Sequence, residues 1–214
     1  LVGMQTSSAT ATANIQQQIF SDTASDTLFG AGSEVALMAR KALAQALDMG
    51  LAPEIWAVGV AEPSGGTAAI HKITVASGTA AAGSDIVFKV GETTFRASVS
   101  SGDDQDAAAL AIKAALDESP ELLPVSIAID GVNANEVNLT FKYKGENGND
   151  LNIAISDVGL SGLGVTASRP TDGVGVSTIT TALANALAKD FETVAIGNHK
   201  AADITAIATH MASA

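Results

Sequence analysis

Val35, Met38, Ala39, Ala42, Leu43, Ala46 and Leu47 recur at helical spacing and form one apolar stripe, with Arg40 and Lys41 off it. Ser33 stands where an N-cap belongs, Glu34 falls in the first turn, and Gly50 suits the C-terminal cap. A shorter helix is predicted just before it, capped by Ser21, opened by Asp22 and running to Phe29. Glu54–Ala61 is a short, nearly continuous apolar run, as expected of a parallel strand buried on both faces. Leu1-Val2-Gly3 reads like the last residues of another buried strand, followed by a Thr/Ser/Ala-rich connection from Thr6 to Asn14.

The pattern changes at Glu62-Pro63-Ser64-Gly65-Gly66, a linker by composition. Beyond it the apolar positions alternate. Ile86, Phe88 and Val90 share one face, as do Phe95, Ala97 and Val99, and Gly91-Glu92 between the two runs predicts a hairpin. Ala108, Leu110, Ala111, Ile112, Ala115 and Leu116 give one helical period, with Asp103, Asp104 and Asp106 at its start. Alternation resumes at Val125, Ile127 and Ile129, at Val137, Leu139, Phe141 and Tyr143, and at Leu151, Ile153 and Ile155. These runs predict a half-exposed sheet covered by one helix, an α+β module.

A second linker, Arg169 to Gly175, closes the module, and the earlier style returns. Ser177 or Thr178 starts a helix near 178–189 that carries Ile179, Leu183, Ala186 and Leu187. Phe191–Gly197 reads as a strand and Ala201–Met211 as a last helix. Glu54–Ala61, the helix near 178–189 and Phe191–Gly197 then make one right-handed β-α-β unit. The expected fold class is α/β, with a small, mostly parallel sheet and helices, carrying an inserted α+β domain. The chain is discontinuous: residues 1–62 and 172–214 form the body, and 63–171 form the insertion.

Composition narrows the function classes. The chain has 214 residues, is 47% hydrophobic with few aromatics, and has no cysteine. Its core is built from Ala, Val, Ile and Leu, and disulfides and thiolate chemistry are excluded. A net charge of −12 repels phosphate backbones, so direct nucleic-acid binding is not expected. No run of about 18 apolar residues suggests a membrane span. Leu1–Met4 lacks the basic flank and apolar region of a signal peptide. The absence of an initiator Met suggests an excerpt of a longer polypeptide.

Candidate chemistry is sparse. Phe29-Gly30-Ala31-Gly32-Ser33 opens a helix as phosphate-binding loops do. A dinucleotide loop needs G-x-G-x-x-G after a strand, but Val35 holds the third glycine position and the preceding residues look helical. The Gly-Lys-Ser/Thr of a P-loop is also missing, so the turn reads as a tight helix–helix corner. Gly145–Asp150 has neither the length nor the spacing of a calcium loop and reads as a turn. Asp103, Asp104 and Asp106 could bind a cation, but they also complement a helix dipole. His71, His199 and His210 share no ligand spacing. Trp56 sits in an apolar strand and reads as core. No catalytic, cofactor-binding or metal residue is assigned, and no cofactor is expected.

Leu28-Phe29-Gly30-Ala31-Gly32-Ser33-Glu34-Val35-Ala36-Leu37-Met38, followed by Pro53-Glu54-Ile55-Trp56-Ala57-Val58, resembles the front part of tail sheath proteins of contractile-tailed phages, especially the Mu-like group. The turn with Gly145 and Gly148-Asn149-Asp150 is similar to a Gly-x-x-Gly-Asn-(Asp/Glu) signature in that family's inserted domain, and Leu1–Gln5 resembles the end of its first strand. The resemblance implies a structural, non-enzymatic subunit that polymerises with itself around an inner tail tube. On a baseplate signal the sheath contracts and drives the tube into the host during genome injection. The implied partners are further copies of the chain and tail tube and baseplate proteins. The implied location is the virion tail, assembled in the bacterial host cytoplasm. Terminal arms would link subunits by strand addition. The insertion would face solvent, so deleting 64–171 should leave assembly largely intact. Two other classes stay open: a nucleotide-binding α/β enzyme using Gly30–Ser33, and a surface-binding module carried by the insertion.

Overall fold

The computed structural model describes residues 1–52, 54–158, 162–186, 193–197 and 200–213. The chain begins with β1 (Val2–Met4), β2 (Gln16–Ile19), α1 (Asp22–Phe29), α2 (Glu34–Asp48) and β3 (Ile55–Val60). Then come β4 (Ile70–Val75), β5 (Ser84–Val90), β6 (Thr93–Val99), α3 (Gln105–Asp117), β7 (Val125–Ile129), β8 (Glu136–Phe141), β9 (Ile153–Val158) and β10 (Val165–Thr171). Helices α4 (Thr180–Ala186) and α5 (Ala201–Ser213) end the series. The chain divides into two compact units. The body holds Leu1–Gly66, Lys142–Gly145 and Gly175–Ala214, and the insertion holds Thr67–Phe141 and Glu146–Val174.

In the body, local chemistry sets the helices. The Ser21 hydroxyl accepts from the Ala24 N–H to cap α1, and the Ser33 hydroxyl accepts from the Ala36 N–H at 3.2 Å to cap α2. Helix α2 ends in a Schellman motif: Gly50 takes φ 65°, its N–H donates to Leu47 O, and the Leu51 N–H donates to Ala46 O. Val35, Ala36 and Ala39 are fully buried, but the apolar stripe stops short, for Leu47 is 82% exposed. Arg40 ties α2 to α1 through ion pairs with Asp22 and Asp26.

The small, mostly parallel sheet expected from the sequence does not form. The three sheets of the molecule are mostly antiparallel, and the body has a mixed one in the order β1-β3-β2. Strands β1 and β3 are parallel, with Val2 opposite Val58, whereas β2 runs antiparallel to β3, with Ile19 opposite Ile55. Strand β2 escapes a hydropathy reading because Gln16, Gln17 and Gln18 precede its one buried residue, Ile19. The expected strand Phe191–Gly197 is reduced, among its described residues, to one parallel bridge between Ile196 and Val2. That bridge places Ile196 beside β1, so β1 lies between it and β3. The ends of the expected strand and helix at 187–192 fall outside the described residues, as does His199.

The insertion forms two antiparallel sheets where one was expected, in the orders β10-β4-β8-β7 and β6-β5-β9. The β5–β6 hairpin appears as predicted, with Gly91 at φ 60° between Val90 and Thr93. Helix α3 buries Ala108, Ala109, Ile112, Ala115 and Leu116 and packs against β6 and against β4, β7 and β8. Leu110, assigned to that stripe from the sequence, is 57% exposed. The expected linker at 169–175 overlaps a strand, since β10 continues to Thr171. The insertion's two ends are pinned together: Thr67 and Val174 exchange both backbone hydrogen bonds, at 2.9 and 3.1 Å.

Candidate functional site

The Gly30–Ser33 turn is built as a corner between α1 and α2. Gly30 holds φ 85° and Gly32 φ 77°, a region where glycine is unstrained. A Cβ on Gly30 would lie 1.8 Å from Thr6 Oγ1, so the loop after β1 is pressed against the turn. The first groups of α2 are already engaged. Ser33 is fully buried and caps its own helix, and the Glu34 carboxylate accepts from the Met4 N–H at 2.8 Å. Glu34 is held closely: a Cβ on Gly197 would sit 2.2 Å from its Cδ, and one on Gly3 3.3 Å from its Cγ. A phosphate approaching this helix start would meet a carboxylate, not free N–H groups.

The 146–150 turn acts on backbone within the insertion. Asn149 Nδ2 donates to Gly173 O at 3.0 Å, and the Gly173 N–H donates to Asn149 Oδ1 at 2.7 Å. Arg169 donates through Nη1 to Asn149 O and through Nε to Asp172 at 2.7 Å. Gly148 is buried because a Cβ there would come within 2.9 Å of both Ala69 and the Phe141 ring. The Gly-Asn-Asp signature is therefore a clamp on the segment after β10.

Asp104 caps α3, accepting from the N–H groups of Asp106 and Ala107, and Asp103 accepts from the Ser100 N–H at 2.8 Å. No group of three or more His, Asp or Glu side chains that could hold a metal ion occurs among the described residues. His71 is 4% exposed on β4, and its Nε2 donates to Gly148 O at 2.8 Å. Desolvation lowers its pKa, and the Arg169 charge acts in the same direction, against that hydrogen bond. His210 and Asp203 are also buried, and Asp203 accepts from the Ile179 N–H at the start of α4. No helix among the described residues is long and apolar enough to cross a membrane.

Sequence reasoning missed a polar network at the β7–β8 turn. Asp130 accepts from the Val132 N–H, the Asn138 side chain and the Asn133 N–H, which hold its pKa at about 2. Glu136 pairs with Lys72 at 2.6 Å across the sheet. The signal was a hairpin tip, Asp130-Gly131-Val132-Asn133, whose Asp and Asn bond local backbone as turn residues do.

The body also contains a cleft of about 170 Å³, lined by Val58, Trp56, Leu183, Ala186 and His210 among others. Trp56 is half-buried at this cleft, and its indole N–H donates to Glu54 at 2.7 Å. Larger apolar exposure lies elsewhere. Phe20 is 74% exposed, Leu47 82%, Met49 61% and Leu51 57%. The pairing of Ile19 with Ile55 places Phe20 and the 47–51 segment near the end of the sheet where β3 begins. Among the described residues β2 pairs with β3 alone, so no strand pairs with its other edge there. Helix α5 shows the same inversion: its polar Asp203 and His210 turn inward, whereas Ile204 is 52% and Met211 49% exposed. No family model matches the chain, and no curated protein matches its sequence.

Proposed function

We propose that the protein is a structural subunit of a contractile tail sheath, assembling with copies of itself around a tail tube, and not an enzyme. The observation that carries this is the pair of exposed apolar surfaces on the body. One lies at Phe20 and 47–51 near the end of the sheet where β3 begins, and the other lies along α5. Exposed apolar residues grouped on one segment or one helix face suit interaction surfaces. Two surfaces on different elements suit heterologous contacts, which leave an open helical or ring-stacked assembly. The edge of β2 without a strand partner among the described residues also suits addition of a strand from a neighbour. The front-part motif supports the same reading, since its glycine turn serves as a corner that orders α1 and α2. The partners under this proposal are further subunits, the tail tube and the baseplate, in a virion tail assembled in a bacterial cytoplasm.

The test is negative-stain microscopy of the purified chain at high concentration, alone and with tail tube added. Tubes or stacked rings are expected. A product that stays monomeric at high concentration, with tail tube added, would sink the proposal. A thermal shift with ATP or NAD is the control for the nucleotide reading, and a stabilisation of several degrees there would favour the enzyme instead.

A further inference from the structure

The insertion has a cavity of its own, of about 170 Å³, lined by His71 of β4, by Leu151 and Ile153, and by Ala167, Ser168 and Arg169 of β10. It is far smaller than a pocket for a drug-sized molecule and suits an ion or a few waters. His71 is the most deeply buried of its lining residues, at 4% exposure. The His71 Nε2 is committed to Gly148 O at 2.8 Å. A carbonyl oxygen only accepts, so Nε2 carries the ring proton and the neutral imidazole presents a lone pair at Nδ1. That Nδ1 has no partner among the described residues and keeps contact with solvent. Arg169 is fixed by two of its donors, Nη1 on Asn149 O and Nε on the Asp172 carboxylate. Its Nη2 has no partner among the described residues. The cavity thus sets a buried acceptor beside a positioned cation, with the Ser168 hydroxyl able to serve either role.

The charges around His71 are few. Lys72, next to it on β4, pairs with Glu136, and Asp172 pairs with Arg169. Strand β8 sets Leu139 opposite His71, and the turn that carries Gly148 also carries Glu146 and Asp150. Of these groups Arg169 is the charge that bears on His71, and with burial it favours the neutral ring. We propose that this cavity is a site for a small protonated oxyanion, with inorganic phosphate as the fitting member. A fully deprotonated anion would set its lone pairs against the lone pair of Nδ1. Hydrogen phosphate carries both groups that the cavity asks for. Its O–H donates to Nδ1, and its charged oxygens accept from Arg169 Nη2 and the Ser168 hydroxyl. Sulfate has the same tetrahedral shape but no proton at neutral pH, so it leaves Nδ1 unpaired. Acid removes the distinction, because a charged His71 donates from Nδ1 and suits sulfate as well. This reading rests on His71 and Arg169 alone and stands whether or not the chain is a sheath subunit.

Isothermal titration calorimetry of the whole 214-residue chain with phosphate and with sulfate, at pH 7.5 and constant ionic strength, tests the site. Phosphate should bind saturably, and sulfate at least about tenfold more weakly. At pH 5.5 the difference should narrow. His71→Gln keeps a side-chain N–H for Gly148 O but has no Nδ1, and it should lose the preference for phosphate. If that variant does not fold, proton–nitrogen correlation NMR of the native chain reads the ring directly. Phosphate should then shift the His71 Nδ1 resonance more than the Nε2 resonance. Equal affinity for phosphate and sulfate at pH 7.5 overturns the proposal and marks an adventitious ion only. So does a lack of saturation by about 50 mM phosphate. An undiminished preference in His71→Gln, or an Nδ1 resonance that phosphate leaves in place, overturns it too.

Discussion

Replacing Asn149 by Ala removes two hydrogen bonds at once, the donation to Gly173 O at 3.0 Å and the acceptance from Gly173 N–H at 2.7 Å. Gly173 is buried, so water cannot freely take the place of the amide. Each bond contributes about 1 kcal/mol net, and a buried group left unpaired costs about 1–3 kcal/mol. The two together put the loss at about 2–3 kcal/mol. For a chain of this length that lowers Tm by roughly 4–12 °C, read by calorimetry or circular dichroism. Asn149→Asp separates the two contributions. It keeps the acceptor for Gly173 N–H, loses the donor, and sets a carboxylate beside Gly173 O. It should therefore recover no more than half of the loss. A Tm for Asn149→Ala within 1 °C of the native chain would refute the clamp. So would an Asp variant as stable as the native protein, since it would show that the Nδ2 donation contributes nothing.

Other changes test other parts of the molecule. Gly59→Ala sets a Cβ 1.9 Å from Gln5 Oε1 and 2.9 Å from the Phe29 ring, and should destabilise the body by about 1–3 kcal/mol in urea unfolding followed by Trp56 emission. His71 has a folded pKa below its unfolded one, so its contribution is fully present above about pH 6.5 and is lost as pH falls from there toward the lower folded value. The fall in Tm between pH 7.5 and 5.5 should shrink in His71→Gln, and an unchanged slope would exclude His71 as its source. The triple change Leu47→Ser, Met49→Ser and Leu51→Ser should leave urea stability within about 0.5 kcal/mol, because these side chains are exposed. The same change should reduce self-association in light scattering, and unaltered association would remove this surface from the proposed assembly.

What the sequence made legible was local. Ser21, Ser33 and Gly50 mark helix ends through caps that involve neighbouring residues only, and the β5–β6 hairpin follows from alternation and a glycine turn. What it hid was non-local. Strand β2 carries three glutamines and is a strand because β3 offers it an edge. Strand β4 turns His71, Ile73 and Val75 inward, and a histidine in that series breaks the apolar alternation. Tyr143 continues the alternation of β8 and is buried, yet residues Lys142–Gly145 group with the body, which no periodicity encodes. The glycines of the Gly30–Ser33 corner point to a turn, but the Glu34 carboxylate on Met4 N–H beneath it depends on a contact 30 positions away.

The pinned ends of the insertion bear on the order of folding. The body needs partners far apart in the chain: Ser177 donates to Ala61 O from 116 positions away, and Asn185 to Asn14 O from 171. Closing such loops in an unfolded chain is slow, and on the ribosome the late partner is not yet made. Thr67 and Asp172, which are 105 positions apart, are joined by a hydrogen bond beside the Thr67–Val174 pair. Once the insertion has folded, that stretch is spanned in the space of a tight turn, and the closure entropy left to the body falls by about 2 kcal/mol. The segment that interrupts the body in sequence would then fold ahead of it, and a variant that slows the insertion should slow the body as well, as read by stopped-flow Trp56 emission.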